Sequence, residues 1–83
     1  MTTLESVEEL KNAWEITFPE REMPSPQQWG IWLLRYELKV IREGLASLAT
    51  RYATLKGEMT DEHMTRFASA VMGRLSEERG IAA

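Results

Sequence analysis

Apolar residues recur along this chain at spacings of three and four positions, which is the period of an amphipathic α-helix. The three clearest stripes are formed by Val7, Leu10 and Trp14, by Trp29, Trp32, Leu33 and Tyr36, and by Met64, Phe67, Ala68, Val71 and Leu75. No stretch alternates apolar and polar residues for long enough to predict a β-strand. The pattern predicts an all-α fold, a compact bundle of three or four short helices in a single helical domain over residues 1–83.

Capping signals predict the position of the first helix. Ser6 is a good N-cap and Glu9 follows at the spacing of a capping box, so the helix is expected from Val7 to Thr17. Pro19 limits it at the other end, because proline disfavours the α conformation in the residue before it. Residues 18–25 contain two prolines and three charged residues and are expected to form an ordered connector.

The second helix has the clearest start in the chain. Ser25 suits an N-cap, Pro26 suits the first helical position, and Gln28 completes a capping box. Further along the chain, Gly57 is expected to end a helix as a C-cap, and Thr60 is expected to cap the last helix.

The sequence leaves open whether the segment after Ser25 is one long helix or two. Its apolar stripe shifts by roughly 120° around the helix axis between the part before Val40 and the part after it. One straight helix of about 30 residues would be about 45 Å long, and a short domain gains more by folding back on itself. We therefore expect a kink or short turn near Arg35–Leu38, although no glycine or proline marks it.

Three glycines lie inside predicted helices, at Gly30, Gly44 and Gly73. Each costs about 1 kcal/mol relative to alanine, so each calls for a reason such as a close helix–helix approach or a kink. Gly80 and Ile81 are expected to form the C-terminal end of the last helix.

Composition removes several function classes. The chain has 83 residues and no cysteine, which excludes disulfides, thiolate metal sites and cysteine nucleophiles. His63 is the one histidine and is expected to be an exposed residue in the first turn of a helix. No catalytic, nucleotide-binding or metal-binding motif occurs, so we expect no enzyme activity, no cofactor and no metal.

Charge is unevenly distributed in a chain whose net charge is −3. Residues 1–24 contain six acidic and two basic residues, whereas residues 25–56 contain two acidic and five basic residues. In a continuous helix, Arg35, Lys39 and Arg42 would share one face. With Arg66 they are the candidate contacts for nucleic acid, although such a face is more often simply solvated or paired with acidic neighbours.

Three tryptophans are a large number for a chain of this length. Because each lies on an apolar stripe, the simplest interpretation places all of them in the core. If Trp29 or Trp32 were exposed beside the connector, it would be the best anchor for a protein partner, together with Met23. No apolar run is long enough for a membrane span and the N-terminus lacks the features of a signal peptide, so a cytoplasmic protein is expected.

Residues 24–81 resemble the small helical domain of DnaD-type replication proteins of bacteria and their phages. The similarity is carried by PSPQQWGIWLLRYELKVIREGLASLA and by RFASAVMGRLSEERGI. In that family the last helix has an aromatic residue, an aliphatic residue and a tryptophan implicated in binding single-stranded DNA. Phe67 and Val71 match the first two, and Ser76 stands at the place of the tryptophan.

Two functions remain in competition. The first is a small non-enzymatic protein-interaction module, of the kind that a phage or mobile element uses to bind a host protein, with an exposed apolar patch at its contact surface. The alternative, implied by the resemblance, is a DNA-replication accessory domain that binds single-stranded DNA through the basic face. The sequence also leaves open a homodimer, because a thin helical core is often completed by a second copy.

Overall fold

Four helices make up the fold in the computed structural model, which describes residues 3–78. They are α1 (Thr3–Thr17), α2 (Pro26–Arg35), α3 (Leu38–Leu55) and α4 (Asp61–Glu78), with a short 3₁₀ turn at Lys56–Glu58 between the last two. No strand is present within residues 3–78. The expected all-α bundle is confirmed. α3 is its central element, because it packs against α1, α2 and α4.

Two of the predicted helix starts are confirmed in atomic detail. Ser25 has the extended backbone of an N-cap, with φ −65° and ψ 158°, and its Oγ accepts a hydrogen bond of 3.1 Å from the Gln28 N–H. Thr60 caps α4 in the same way, since its Oγ1 accepts from the His63 N–H at 3.1 Å. Both caps satisfy backbone donors that have no partner inside their helix.

The predicted start of α1 is wrong. The helix already includes Thr3, and Ser6 lies inside it at 8% exposure instead of capping it. Ser6 is one turn before Leu10 and faces the core with it. Packing of this face against the rest of the bundle extends the helix past a residue with good capping chemistry, because tertiary contacts outweigh local preference.

The expected break between the second and third helices is confirmed at Tyr36. Its backbone is extended, with φ −130° and ψ 151°, and its N–H still bonds to the Trp32 carbonyl at 2.8 Å. α3 begins two residues later, where the Glu37 carbonyl accepts from the Ile41 N–H. The turn rotates the apolar stripe of α3 so that both stripes face the same core.

The core contains a cluster of aromatic side chains. Trp14 lies 4.6 Å from Phe18 and 6.2 Å from Trp29 between ring centroids, and Trp29 lies 5.3 Å from Trp32. All four side chains are buried. The interpretation of the three tryptophans as core residues is therefore confirmed.

The glycines inside helices do not share one explanation. A Cβ on Gly44 would lie 2.6 Å from the Cγ of Met72, so this glycine lets α3 and α4 approach closely. A Cβ on Gly73 would lie 3.5 Å from the Tyr36 hydroxyl. On Gly30 it would meet nothing within 4 Å, so close packing inside this chain does not explain that residue.

The ends of α3 and α4 differ in part from expectation. α3 ends at Leu55 and the chain continues into the 3₁₀ turn, so Gly57 is not the left-handed C-cap that was expected. In α4 the buried line is Met64, Ala68 and Met72, whereas Phe67 and Val71, expected on the core face, are only half-buried. The predicted terminal motif at residues 80–81 lies outside the described residues.

The connector between α1 and α2 is held by Arg21. Its guanidinium lies 5.6 Å above the centroid of the Tyr52 ring, and its Nε lies 3.4 Å from both an Asp61 carboxylate oxygen and the Met64 sulfur. These contacts fasten the connector to the end of the α3–α4 pair. The expectation of an ordered connector is confirmed.

Candidate functional site

The tryptophans expected at a partner interface are not accessible. Trp29 and Trp32 are both buried, and the Trp32 indole N–H donates a hydrogen bond of 2.8 Å to Ser69 Oγ on α4. Met23 is half-buried and packs against the core. The condition under which Trp29 or Trp32 would anchor a partner, exposure of the side chain, is therefore not met in this structure. The two side chains face inward because they attach α2 to its neighbours. Trp29 packs against Trp14 of α1, and Trp32 bonds to Ser69 of α4.

The basic residues proposed for nucleic-acid contact do not form one helix face. Arg35 ends α2, whereas Lys39 and Arg42 belong to α3, so the break at Tyr36 separates them. Arg42 forms an ion pair with Glu9 of α1, and Arg66 pairs with Glu62 at 2.7 Å on α4. Among the described residues, only Arg35 and Lys39 of these four form no ion pair.

His63 is exposed in the first turn of α4, as expected. Its backbone N–H takes part in the Thr60 cap. Within the described part of the chain, no three histidine, aspartate or glutamate side chains come together as a metal site.

A groove between α1 and α3 forms a concave surface with a volume of about 250 Å³. Its floor is apolar and consists of buried side chains from both helices, namely Leu10, Trp14, Phe18 and Leu45. Its walls carry small side chains, namely Ala13, Thr17, Ala46 and Ala49. Because alanine reaches so little beyond the backbone, the two helices leave space above the core instead of filling it.

Polar groups mark one end of this groove and its floor. The Glu9–Arg42 ion pair joins α1 to α3 at that end. The indole N–H of Trp14 is buried and has no hydrogen-bond partner among the described residues. A buried donor without an acceptor costs about 1–3 kcal/mol, so the unpaired indole N–H at the groove floor lowers the stability of the fold.

Sequence reasoning missed the α1–α3 groove. Alanines gave no signal, because they are equally common in cores and on surfaces, and Trp14 was assigned only to the core. A stripe search for small residues would have found Ala46, Ala49 and Ala53 at spacings of three and four positions on α3.

A second apolar surface lies on the outer face of α2. Leu34 is 88% exposed and Ile31 is 46% exposed, on the side of the helix opposite Trp29 and Trp32. Gly30 precedes Leu34 by one turn and lies beneath open space. Of the larger apolar side chains described elsewhere, Ile16 on α1 is also strongly exposed, at 82%. The α2 face could have been found from sequence, since Leu34 lies about 140° from Trp29 on a helical wheel.

No protein-family model, curated protein or solved structure matches this chain. The resemblance of residues 24–81 to DnaD-type domains therefore stays a prediction. Within the described helices, none combines the length and the apolar character needed to cross a membrane.

Proposed function

We propose that this chain is a small non-enzymatic protein-interaction module that holds an α-helix of a partner protein in the α1–α3 groove. The observation that carries the proposal is the construction of that groove, with an apolar floor between two walls of small side chains. Amphipathic helices bind in grooves of this kind by laying their apolar face against the floor.

The alanines of α3 suit a helix better than an extended peptide. Helices pack at axis separations of about 8–10 Å, and small side chains permit the shorter distances. Ala46, Ala49 and Ala53 follow the helical period, so they form a continuous shallow track along α3. From Glu9 to Thr17 the wall formed by α1 is about 12 Å long, which matches a little over two turns of a partner helix.

Charge indicates the chemistry of the partner. α1 contains four glutamates and one lysine, so this helix has a net negative charge. Glu9 lines the groove, whereas Glu8 and Glu15 lie on the opposite side of α1. A partner helix with lysine or arginine residues would therefore be attracted to α1, mainly through faster association. The expected partner segment is an amphipathic helix with small aliphatic residues on one face and basic residues on its other faces.

Designed peptides test this proposal directly. The probe is a three-turn helical peptide with alanine and leucine at spacings of three and four and lysine elsewhere. Two controls are a peptide with glutamate in place of lysine, and a scrambled peptide whose apolar residues form no single face. In NMR spectra of the isotope-labelled protein, we expect the first peptide to change the backbone amide chemical shifts of Ala13, Ala46 and Ala49. The two control peptides are expected to change them far less.

A pair of matched variants makes the test specific to the groove. Ala46→Arg places a large side chain with the same charge as the peptide on its wall and is expected to weaken binding of the basic peptide by at least about tenfold, or about 1.4 kcal/mol. Ala70→Arg introduces the same side chain at an exposed position of α4. Equal effects of the two variants, or shifts spread evenly over all four helices, would show that the groove is not the binding site.

A further inference from the structure

Gly30 is unexplained by the packing of its own chain. A glycine inside a helix is destabilising relative to alanine. Gly44 accounts for this cost, because a Cβ there would collide with Met72. A Cβ on Gly30 would meet nothing within 4 Å, yet its helix presents Leu34 at 88% exposure one turn further on. Gly30 leaves a depression on the surface of α2, and Leu34 protrudes beside it. A surface of this shape can pack against another helix.

We propose that two copies of this chain pair through this face of α2, antiparallel, with Leu34 of each copy seated over Gly30 of the other. The two residues are four positions apart on the same side of α2, which separates them by about 6 Å along the axis. A twofold axis passing between them puts each leucine over the opposite glycine, so one contact generates the other. Ile31 lies beside this contact and would be covered with it.

Charge favours the antiparallel orientation and a second copy as the occupant. Arg35 ends α2, and the connector leading into the start of α2 contains Glu20 and Glu22. All three are exposed and form no ion pair among the described residues. Antiparallel pairing brings Arg35 toward the acidic connector of the second copy, whereas parallel pairing would bring the two arginines together. Arg21 fastens this connector, so its glutamates are presented from an ordered segment.

The size of the face sets the expected strength of the dimer. α2 has ten residues and is about 15 Å long, so two copies bury less than the roughly 1,200–2,000 Å² of a stable complex. We therefore expect a weak, reversible dimer with a dissociation constant of about 10 µM to 1 mM. This surface is separate from the α1–α3 groove, so the dimer does not depend on the proposed function.

Analytical ultracentrifugation over a concentration series tests the dimer. The wild-type chain is expected to move from monomer toward dimer as its concentration rises through the range given above. Leu34→Glu is expected to abolish this shift, while Ile16→Glu, an equally exposed position on α1, leaves it unchanged. Gly30→Ala is the most informative variant, because it should weaken the dimer several-fold while raising the thermal midpoint of the dilute monomer.

A charge exchange tests the orientation. Arg35→Glu is expected to weaken the dimer, and adding Glu22→Arg should restore it. Ala46→Arg, in the groove, should leave the dimer intact, which separates this proposal from the proposed function. A wild-type chain that stays monomeric up to millimolar concentration overturns the proposal, as does a dimer that Leu34→Glu leaves unaffected. Failure of the double exchange to restore pairing overturns the antiparallel arrangement.

Discussion

The same amino acid has opposite roles at two positions of this chain, and its neighbours decide which. Gly44 lies in the contact between α3 and α4, where a Cβ would approach Met72 Cγ to 2.6 Å. That atom is close to the backbone of a fully buried residue and cannot move aside freely. A Cβ on Gly30 would instead point into open space. Alanine substitutions at these two glycines can therefore be compared to measure how the close contact between α3 and α4 changes the free energy of unfolding.

Gly44→Ala is expected to lower the free energy of unfolding by about 1–2 kcal/mol, because overpacking outweighs the roughly 1 kcal/mol gained in helix propensity. Gly30→Ala, measured in dilute solution, should instead raise it by about 0.5–1 kcal/mol. Urea unfolding followed by circular dichroism gives both values. A Gly44→Ala protein as stable as Gly30→Ala would mean that α3 and α4 are not in close contact at this point.

At the scale of elements, the placement of α2 depends on bonds that reach across the bundle. The Trp32 indole N–H donates to Ser69 Oγ at 2.8 Å and joins α2 to α4. The Tyr36 hydroxyl, just after α2, lies close to Gly73 of α4. These contacts turn the tryptophan stripe inward, and as a consequence Ile31 and Leu34 face outward.

Ser69→Ala is expected to destabilise the protein by about 1–3 kcal/mol, because it leaves the indole N–H of Trp32 buried without an acceptor. Ser47→Ala, at an exposed serine of α3, is the matched control and should change stability by less than about 0.5 kcal/mol. Thermal and urea unfolding measure the difference. If both substitutions have the same small effect, the hydrogen bond does not hold α2 in place.

At the scale of the whole molecule, ion pairs engage two of the four basic residues that are candidate contacts for nucleic acid. Arg42 is paired with Glu9 of α1, and Arg66 is paired with Glu62 within α4. The net charge is −3, so the overall field repels polyanions. This arrangement favours a protein partner over nucleic acid.

We expect binding to single-stranded DNA to be weaker than about 100 µM at physiological salt, the weak end of non-specific binding. Fluorescence anisotropy with a labelled oligothymidine, at low and physiological salt, measures it. A tight, salt-sensitive complex that is lost in Arg35→Glu and Lys39→Glu would instead support the replication-accessory alternative.

Local chemistry was sufficient for the helices and for two of their caps. Ser25 and Thr60 were identified from sequence because each bonds to a backbone N–H three residues later, so the whole motif lies in one short segment. The core role of the tryptophans followed from helical spacing in the same way. The break near Tyr36 was also inferred, from the shift in the apolar stripe.

Other features depend on residues that are distant in the sequence, and the fold alone decides them. Burial of Ser6 extended α1 past its expected cap, and Gly44 differs from Gly30 only because Met72 lies against it. The α1–α3 groove exists because two helices are held apart above a shared floor. Helical periodicity predicts that a face is apolar, but contacts between helices determine whether that face is covered.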